Sequence, residues 1–239
     1  HFFMFDGFFI ISAYLCARIP TTMRNAFSPK FDELPATLPL FPLEGAVVLP
    51  HGQLPLNIFE PRYLNMVFDA LADARLIGMI QPLPDSPTPE PALHQTGCAG
   101  RIVSFSETRD SRLLIVLGGL CRFDVVSERT VERGYRLAEI SWDRFCHDLK
   151  EEQTELGSGR LLAAAKHLLE HRSMTVEWGA LDQLGAPELI DTLGSSLPFS
   201  PQEKQGLVET KVLQDRLNLV TALCELGSAL DSGADHRTH

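Results

Sequence analysis

The feature that most constrains the fold is a proline-punctuated series of short apolar segments at residues 38–63. The segment reads LPLFPLEGAVVLPHGQLPLNIFEPRY. Proline cannot donate to a β-ladder, so it confines strands to sheet edges and bends. We therefore expect short strands at 38–43 and 47–49. A turn at 50–52 and a strand at 54–59 should follow.

A helix is predicted immediately after this last strand. Pro61 suits the first helical position, where its missing N–H is not needed, and Glu60 favours the positive end of the helix dipole. Apolar residues recur at helical spacing from Tyr63 to about Ala74. We place Phe59 and Tyr63 mainly in the core. Residues at i and i+2 of a helix do not face each other, so we do not expect Glu60 and Arg62 to form one site.

The order of strand, turn, strand and F-E-x-R-Y-type helix entry resembles the N-terminal domain of Lon protease. Further blocks of the resemblance lie at 97–102, 117–123, 135–136 and in a helical segment at 203–217, so it spans about 36–228. The chain contains no G-x-x-x-x-G-K-[ST] phosphate loop. The resemblance therefore implies a free-standing, bacterial-type substrate-recognition domain, without the ATPase or the Ser-Lys peptidase of the full protease.

The remaining strands are predicted at 76–81, 100–107, 113–117, 121–126 and 136–142. Gly118 and Gly119 should form a bulge or corner between two of them. Strands joined by turns without intervening helices indicate an antiparallel sheet that curls or closes. A proline-rich stretch at 82–95 is expected to be a mobile surface loop. The predicted fold class is α+β, a PUA-like curved antiparallel β pseudobarrel with one helix over 36–145, followed by a helical C-terminal subdomain.

The helical subdomain is predicted over 146–228. Its signals are an apolar face between Leu161 and Leu169, a helix opened by Pro187, and a capping box from Ser200 to Glu203. A last helix that carries Leu207 to Cys224 should end near Leu226. We interpret four acidic residues at the junction of the halves as a solvated helix start; they are Asp143, Asp148, Glu151 and Glu152.

The two ends of the chain are expected to lie outside the folded part. Residues 1–35 are interpreted as an N-terminal extension and arm, with 1–22 as a candidate non-native segment and Met23 as the natural start. The apolar stretch at 2–17 is shorter than the roughly 20 residues of a membrane-spanning helix, and no basic residue precedes it as in a signal peptide. Residues 229–239 are predicted to be a disordered tail.

Charge and cysteine usage exclude several classes of function. The chain has 21 basic and 31 acidic residues, a net charge of -10, and no Lys/Arg cluster, which disfavours nucleic acid. Its five cysteines are odd in number and never in C-x-x-C spacing, so we predict buried thiols in a reducing cytoplasm. His167 and His171 lie one helical turn apart without a third ligand motif. No metal, cofactor or membrane contact is predicted.

Our leading hypothesis is a non-enzymatic module that binds unfolded or flagged polypeptides. Short edge strands can accept an extended peptide by strand addition, and the family resemblance implies substrate recognition in proteolysis, with a separate protease as a candidate partner. The candidate peptide-binding residues are Leu54, Leu56, Phe59, Arg62 and Tyr63. No G-x-S-x-G elbow indicates a hydrolase. The alternatives are a PUA-like RNA- or nucleotide-binding protein and an unrecognised hydrolase. The sequence leaves the oligomeric state open.

Overall fold

Six strands in the first half of the chain form one curved sheet. The computed structural model describes residues 29–84, 90–150, 156–172, 174, 176 and 178–235. The strands are β1 (Thr37–Pro42), β2 (Gln53–Ile58), β3 (Leu76–Ile80), β4 (Thr96–Glu107), β5 (Leu113–Thr130) and β6 (Arg136–Ser141). Their order is β2-β5-β4-β3-β1-β6, and β5 also pairs with β6, so the sheet curls back on itself. The predicted α+β class with a curved sheet is confirmed.

One strand pair departs from the predicted antiparallel arrangement. β1 and β3 run parallel, with Leu40 opposite Gly78, whereas the other neighbouring strands are antiparallel. A parallel pair needs a crossover connection of a dozen or more residues. The chain between β1 and β3 provides one, because it contains β2 and the first helix.

The predicted strand at 47–49 is wrong, although all three of its residues are buried. Val48 packs in the sheet core, whereas Val47 and Leu49 pack among the helices of the second half. The carbonyl of Leu49 lies so near Gly119 that a Cβ at position 119 would clash with its oxygen. The segment therefore passes between two cores, and its neighbours hold it without a β-ladder.

The glycine pair 118–119 does not divide two strands as predicted. β5 runs without interruption from Leu113 to Thr130. The register against β4 shifts so that Ala99 faces Cys121 while Gly100 faces Gly119. The glycines therefore mark a bulge within one long strand. The missing Cβ of Gly119 leaves room for the Leu49 backbone.

The helices are α1 (Pro61–Ala72), α2 (Gly159–His171), α3 (Trp178–Leu181), α4 (Ala186–Ser196), α5 (Pro201–Glu209) and α6 (Leu213–Asp235). Short 3-10 segments occur at Phe31–Glu33 and Asp143–Leu149. α1 starts at Pro61 as predicted. The predicted capping box opens α5, because Ser200 Oγ accepts from the Glu203 amide at 3.3 Å and Glu203 Oε2 accepts from the Ser200 amide at 2.7 Å.

The prediction of one last helix that carries Leu207 to Cys224 and ends near Leu226 is wrong, because the helix is interrupted and extends further. The chain leaves the helix after Glu209 and starts α6 at Leu213, and α6 continues to Asp235. Part of the predicted disordered tail is thus helical. The predictions for 1–28, including Met23, and for Glu151, Glu152 and residues 85–89 and 236–239 fall outside the described residues.

The core has three parts. Tyr63, Met66, Val67 and Ala70 of α1 pack on one face of the sheet. The other face buries residues such as Phe123 and Phe145, and the helices of the second half enclose the third cluster. In the parts of the chain that the structure describes, no helix is both long and apolar enough to cross a membrane.

Candidate functional site

A pocket of about 680 Å³ lies where the curved sheet meets the helical half. Five segments form its walls: the loop after β1, the start of α1, the stretch that follows β3, the turn that leads into β6, and the connection from α4 to α5. The lining residues include Leu43, Gly45, Ala46, Arg62, Tyr63, Tyr135, Arg136, Ser196, Pro198, Phe199, Pro201 and Lys204. Most are apolar or aromatic, and a few charged groups stand between them. This combination is typical of binding pockets.

Two of the sequence-predicted candidates, Arg62 and Tyr63, line this pocket. Tyr63 is only 5% exposed and its ring lies 4.4 Å from that of Phe41, centroid to centroid. Burial raises the pKa of the Tyr63 hydroxyl above its usual value. The Arg62 guanidinium lies 4.6 Å from the Tyr63 ring centroid, a cation–π contact that covers the ring.

Glu60 and Arg62 do form one ion pair, contrary to the sequence prediction. Arg62 Nε donates to Glu60 Oε2 at 2.9 Å. The spacing rule applies inside a helix, but Glu60 is the N-cap residue and has an extended backbone, with φ -70° and ψ 132°. Its side chain can therefore turn back towards Arg62.

The wall next to β6 is held by hydrogen bonds from outside the pocket. The Tyr135 hydroxyl donates to Asp69 Oδ2 at 2.9 Å, and burial together with this bond raises the pKa of Tyr135. Arg136 Nη1 lies 3.2 Å from Glu128 Oε2. Both side chains are thereby oriented before any ligand binds.

Lys204 approaches the pocket from α5. The side chain is buried, and its Nζ donates to the carbonyl of Gly45 at 2.9 Å. Burial lowers the pKa of Lys204 to about 8. Gly45 has φ +70°, a left-handed conformation that favours glycine. In the sequence this residue is marked only by its helical position within the resemblance segment at 203–217.

The other three candidates lie away from the pocket. Leu54 is buried in the sheet core and Leu56 packs against that core, so their side chains face inwards. Phe59 is 43% exposed, with the Arg112 guanidinium 5.5 Å from its ring centroid. The prediction of a core position for Phe59 is wrong. Ile58 is the last residue of β2 whose side chain faces the core, and the chain then turns towards α1.

β2 lies at the end of the sheet order. It pairs with β5, and within the described sheet its other edge has no partner strand. Pro55 in the middle of β2 removes one N–H, as is common in edge strands. Leu114 on β5 and Phe105 on the next strand, β4, are exposed. This edge remains a candidate for strand addition, separate from the pocket.

Sequence reasoning missed a buried arginine in β5. Arg122 is 0% exposed and donates to Asp148 through Nε at 2.8 Å and Nη2 at 2.7 Å. It also donates to the carbonyls of Val208, Thr210 and Lys211, where α5 ends and α6 has not yet begun. Asp148 is therefore not part of a solvated helix start as predicted, but the buried counter-ion of Arg122.

A second buried arginine, Arg216, organises the neighbouring helices. Its Nε donates to Asp191 Oδ1 at 2.6 Å, and Asp191 Oδ2 also accepts from the His51 amide at 3.0 Å and lies 2.9 Å from His51 Nδ1. Burial alone would raise the pKa of Asp191, but Arg216 and His51 hold it well below its usual range. The carbonyl of Thr210 accepts from both arginines, which joins the two networks.

An arginine between apolar residues of a strand or helix is the one sequence signal for these networks. Arg122 follows Leu120 and Cys121 and precedes Phe123, and all of them are buried. Such a position requires a buried counter-charge, although the sequence alone does not identify it. Within the described residues, no group of three or more His, Cys, Asp or Glu side chains could hold a metal ion.

Comparison with known proteins points to one family. A family model described as the ATP-dependent protease La (LON) substrate-binding domain matches residues 37–225. Lon protease 2 of Sorangium cellulosum is 30% identical over 211 residues, which are 84% of this chain and 25% of that protein. Lon protease 2 of Myxococcus xanthus is 27% identical over 217 residues, 86% of this chain and 25% of that protein. The chain thus spans about a quarter of the length of the curated relatives it matches.

Solved structures agree with this assignment. The crystal structure of a Lon N-terminal domain protein from Xanthomonas campestris matches with a TM-score of 0.54 and 27% identity, over 78% of this chain and 97% of that one. The N-terminal domain of the Mycobacterium avium complex Lon protease matches in fold, with a TM-score of 0.53 and 16% identity over 79% of this chain and 97% of that one. The chain belongs to the family of LON substrate-binding domains.

Proposed function

We propose that this chain is a non-enzymatic recognition module and that the pocket between the sheet and the helical half binds unfolded or flagged polypeptide segments. One observation carries the proposal: the pocket is already formed, has mostly apolar walls and orients a few polar groups into its space. An extended segment could insert its apolar side chains there. Membership of a substrate-binding family supports polypeptide as the ligand class.

The contacts of His51 support recognition without hydrolysis. His51 and Asp191 are paired at 2.9 Å, as two members of a catalytic triad would be. The third member is not in place, because Ser195 Oγ is buried and makes no hydrogen bond with any described residue. Asp191 is instead engaged by Arg216. The group is thus a structural link between the halves.

The proposed client is a polypeptide that a separate protease then degrades, in the cytoplasm. None of the four cysteines in the described residues forms a disulfide, which supports a reducing compartment. The comparisons give no support to the alternative of RNA or nucleotide binding, and the net charge of -10 opposes it.

A pocket-filling variant tests the location of the site. Ala46 lines the pocket, so Ala46→Trp should weaken binding of fluorescein-labelled β-casein about tenfold or more in an anisotropy titration. The matched control is Ala222→Trp on the exposed face of α6, which should bind like the wild type. Equal binding by all three proteins would exclude the pocket. Turnover of casein or ATP by the purified chain would contradict the non-enzymatic assignment.

A further inference from the structure

Lys204 is a buried cation without a counter-ion among the described residues. It is 6% exposed, and the one hydrogen bond of its ammonium group runs to the neutral carbonyl of Gly45. Burial alone lowers its pKa, to about 8, and no carboxylate contributes. At neutral pH the amine is therefore still mostly protonated. A buried ammonium group is destabilised unless an anion pairs with it.

The other charged groups around the pocket already have partners or stand at its rim. Arg62 pairs with Glu60, and Arg136 pairs with Glu128. Glu44 and Glu90 line the pocket from two loops, and neither forms an ion pair with Lys204. The hydroxyls of Tyr63 and Tyr135 have raised pKa values because of burial, so they stay neutral at physiological pH. Among the described residues that line the pocket, Lys204 is thus the cation without a carboxylate partner.

The volume and the lining residues of the pocket indicate which class of anion could pair with Lys204. Apolar walls from Leu43, Leu197 and Phe199 surround a single buried positive charge. The volume of about 680 Å³ is too large for a simple inorganic ion and is suited to an organic group of several carbon atoms. A phosphate would carry a second charge, and the two other cations of the pocket lining, Arg62 and Arg136, are already paired with carboxylates.

We infer that this pocket binds a free carboxylate attached to an apolar group, as at the C terminus of a polypeptide that ends in an apolar residue, with Lys204 Nζ as its counter-ion. The inference rests on the proposed function and specifies the part of the client that is recognised. A charge-assisted hydrogen bond to the carboxylate would use one of the two remaining Lys204 donors.

The test compares two fluorescein-labelled hexapeptides that end in Leu-Phe, one with a free C-terminal carboxylate and one with an amide. Wild-type protein should bind the free acid at least about tenfold more tightly in anisotropy titrations. Lys204→Met should lose this preference, while Lys211→Met, which removes an exposed lysine outside the pocket lining, should keep it. Circular dichroism checks that each variant is folded.

A pH series on the wild type needs no variant. Affinity for the free acid should fall as the pH rises from 7 to 10, because the amine must be protonated to pair with the carboxylate, whereas the amide should show no such loss. Equal affinity for acid and amide, or a preference that survives Lys204→Met, overturns the inference.

Two further measurements distinguish this inference from binding of a small carboxylic acid and from the proposed function alone. N-acetyl-leucine as competitor should be much weaker than the hexapeptide; equal potency would identify the ligand as a small carboxylic acid and overturn the assignment to a polypeptide. If Ala46→Trp abolishes casein binding while acid and amide bind alike, the proposed function stands and the carboxylate inference fails. If neither casein nor peptide binds, both fail.

Discussion

Arg122 and Asp148 form a bidentate ion pair inside the protein, with Nε to Oδ2 at 2.8 Å and Nη2 to Oδ1 at 2.7 Å. Because Arg122 lies in a strand of the sheet and its other donors reach the carbonyls between α5 and α6, one side chain connects three parts of the chain. The pair therefore fixes the position of the helical half relative to the sheet.

Removal of either member of this pair should be strongly destabilising. Arg122→Met removes the guanidinium group that neutralises Asp148 and donates to three carbonyls, and loss of one partner of a buried pair costs about 3 to 5 kcal/mol. Urea unfolding followed by circular dichroism measures the change. Arg160→Met serves as the control, because the Arg160–Glu225 pair is exposed and should contribute little to the free energy of unfolding. Similar losses in the two variants would contradict a special role of Arg122.

Lys204 should make stability depend on pH in the alkaline range. Its folded-state pKa of about 8 lies below that of an unfolded lysine, so the unfolded state binds more protons between these values. The free energy of unfolding should therefore rise with pH from about 8 to about 10.4, by up to about 3 kcal/mol. The Lys204→Met protein should lack this rise. Parallel curves for the two proteins would show that the ammonium is not destabilised in the folded state.

Phe59 and Tyr63 should respond differently to truncation, although the sequence places both next to the same helix start. Phe59→Ala should change the free energy of unfolding by less than about 1 kcal/mol, because its ring is exposed. Tyr63→Ala should cost about 3 to 5 kcal/mol, because it removes a buried ring that packs on Phe41. Thermal and urea unfolding of both variants measures this. A costly Phe59→Ala would restore its sequence-predicted place in the core.

Salt dependence should separate polypeptide from RNA as the ligand. Binding of an unfolded client through apolar contacts and one ion pair should vary little between 50 and about 200 mM salt. RNA binding would weaken steeply over the same range as counterions return to the phosphates. Anisotropy titrations with labelled casein and a labelled single-stranded RNA provide the comparison. Tight, salt-sensitive RNA binding without a response to casein would refute polypeptide recognition.

Features set by local chemistry could be predicted from the sequence. Pro61 starts α1 and Ser200 opens α5, as their neighbours in the chain require. The sequence predictions were wrong where a group distant in sequence determines the local structure or the burial of a residue. The segment at 47–49 is no strand because two cores take up its side chains, and Asp148 is buried because Arg122 needs a counter-ion.

Some residues of the candidate site could likewise be predicted from the sequence, and others could not. Arg62 and Tyr63 were identified from their place at a helix entry, and the pocket is built around them. Lys204 could not be assigned, because its burial depends on a loop more than a hundred residues earlier, where Gly45 supplies its hydrogen-bond acceptor. A residue whose hydrogen-bond partner is distant in sequence can be assigned to the site only from the folded structure.

The gap between α5 and α6 has a consequence for how the chain acquires its structure. The carbonyls there accept hydrogen bonds from Arg122, a residue of the sheet, so the helical half relies on the sheet to satisfy part of its own backbone. A fragment that begins after β6 would lack Arg122 and should therefore fail to assemble its last two helices. The two halves are therefore expected to melt in one cooperative transition, and to be inherited as one evolutionary unit.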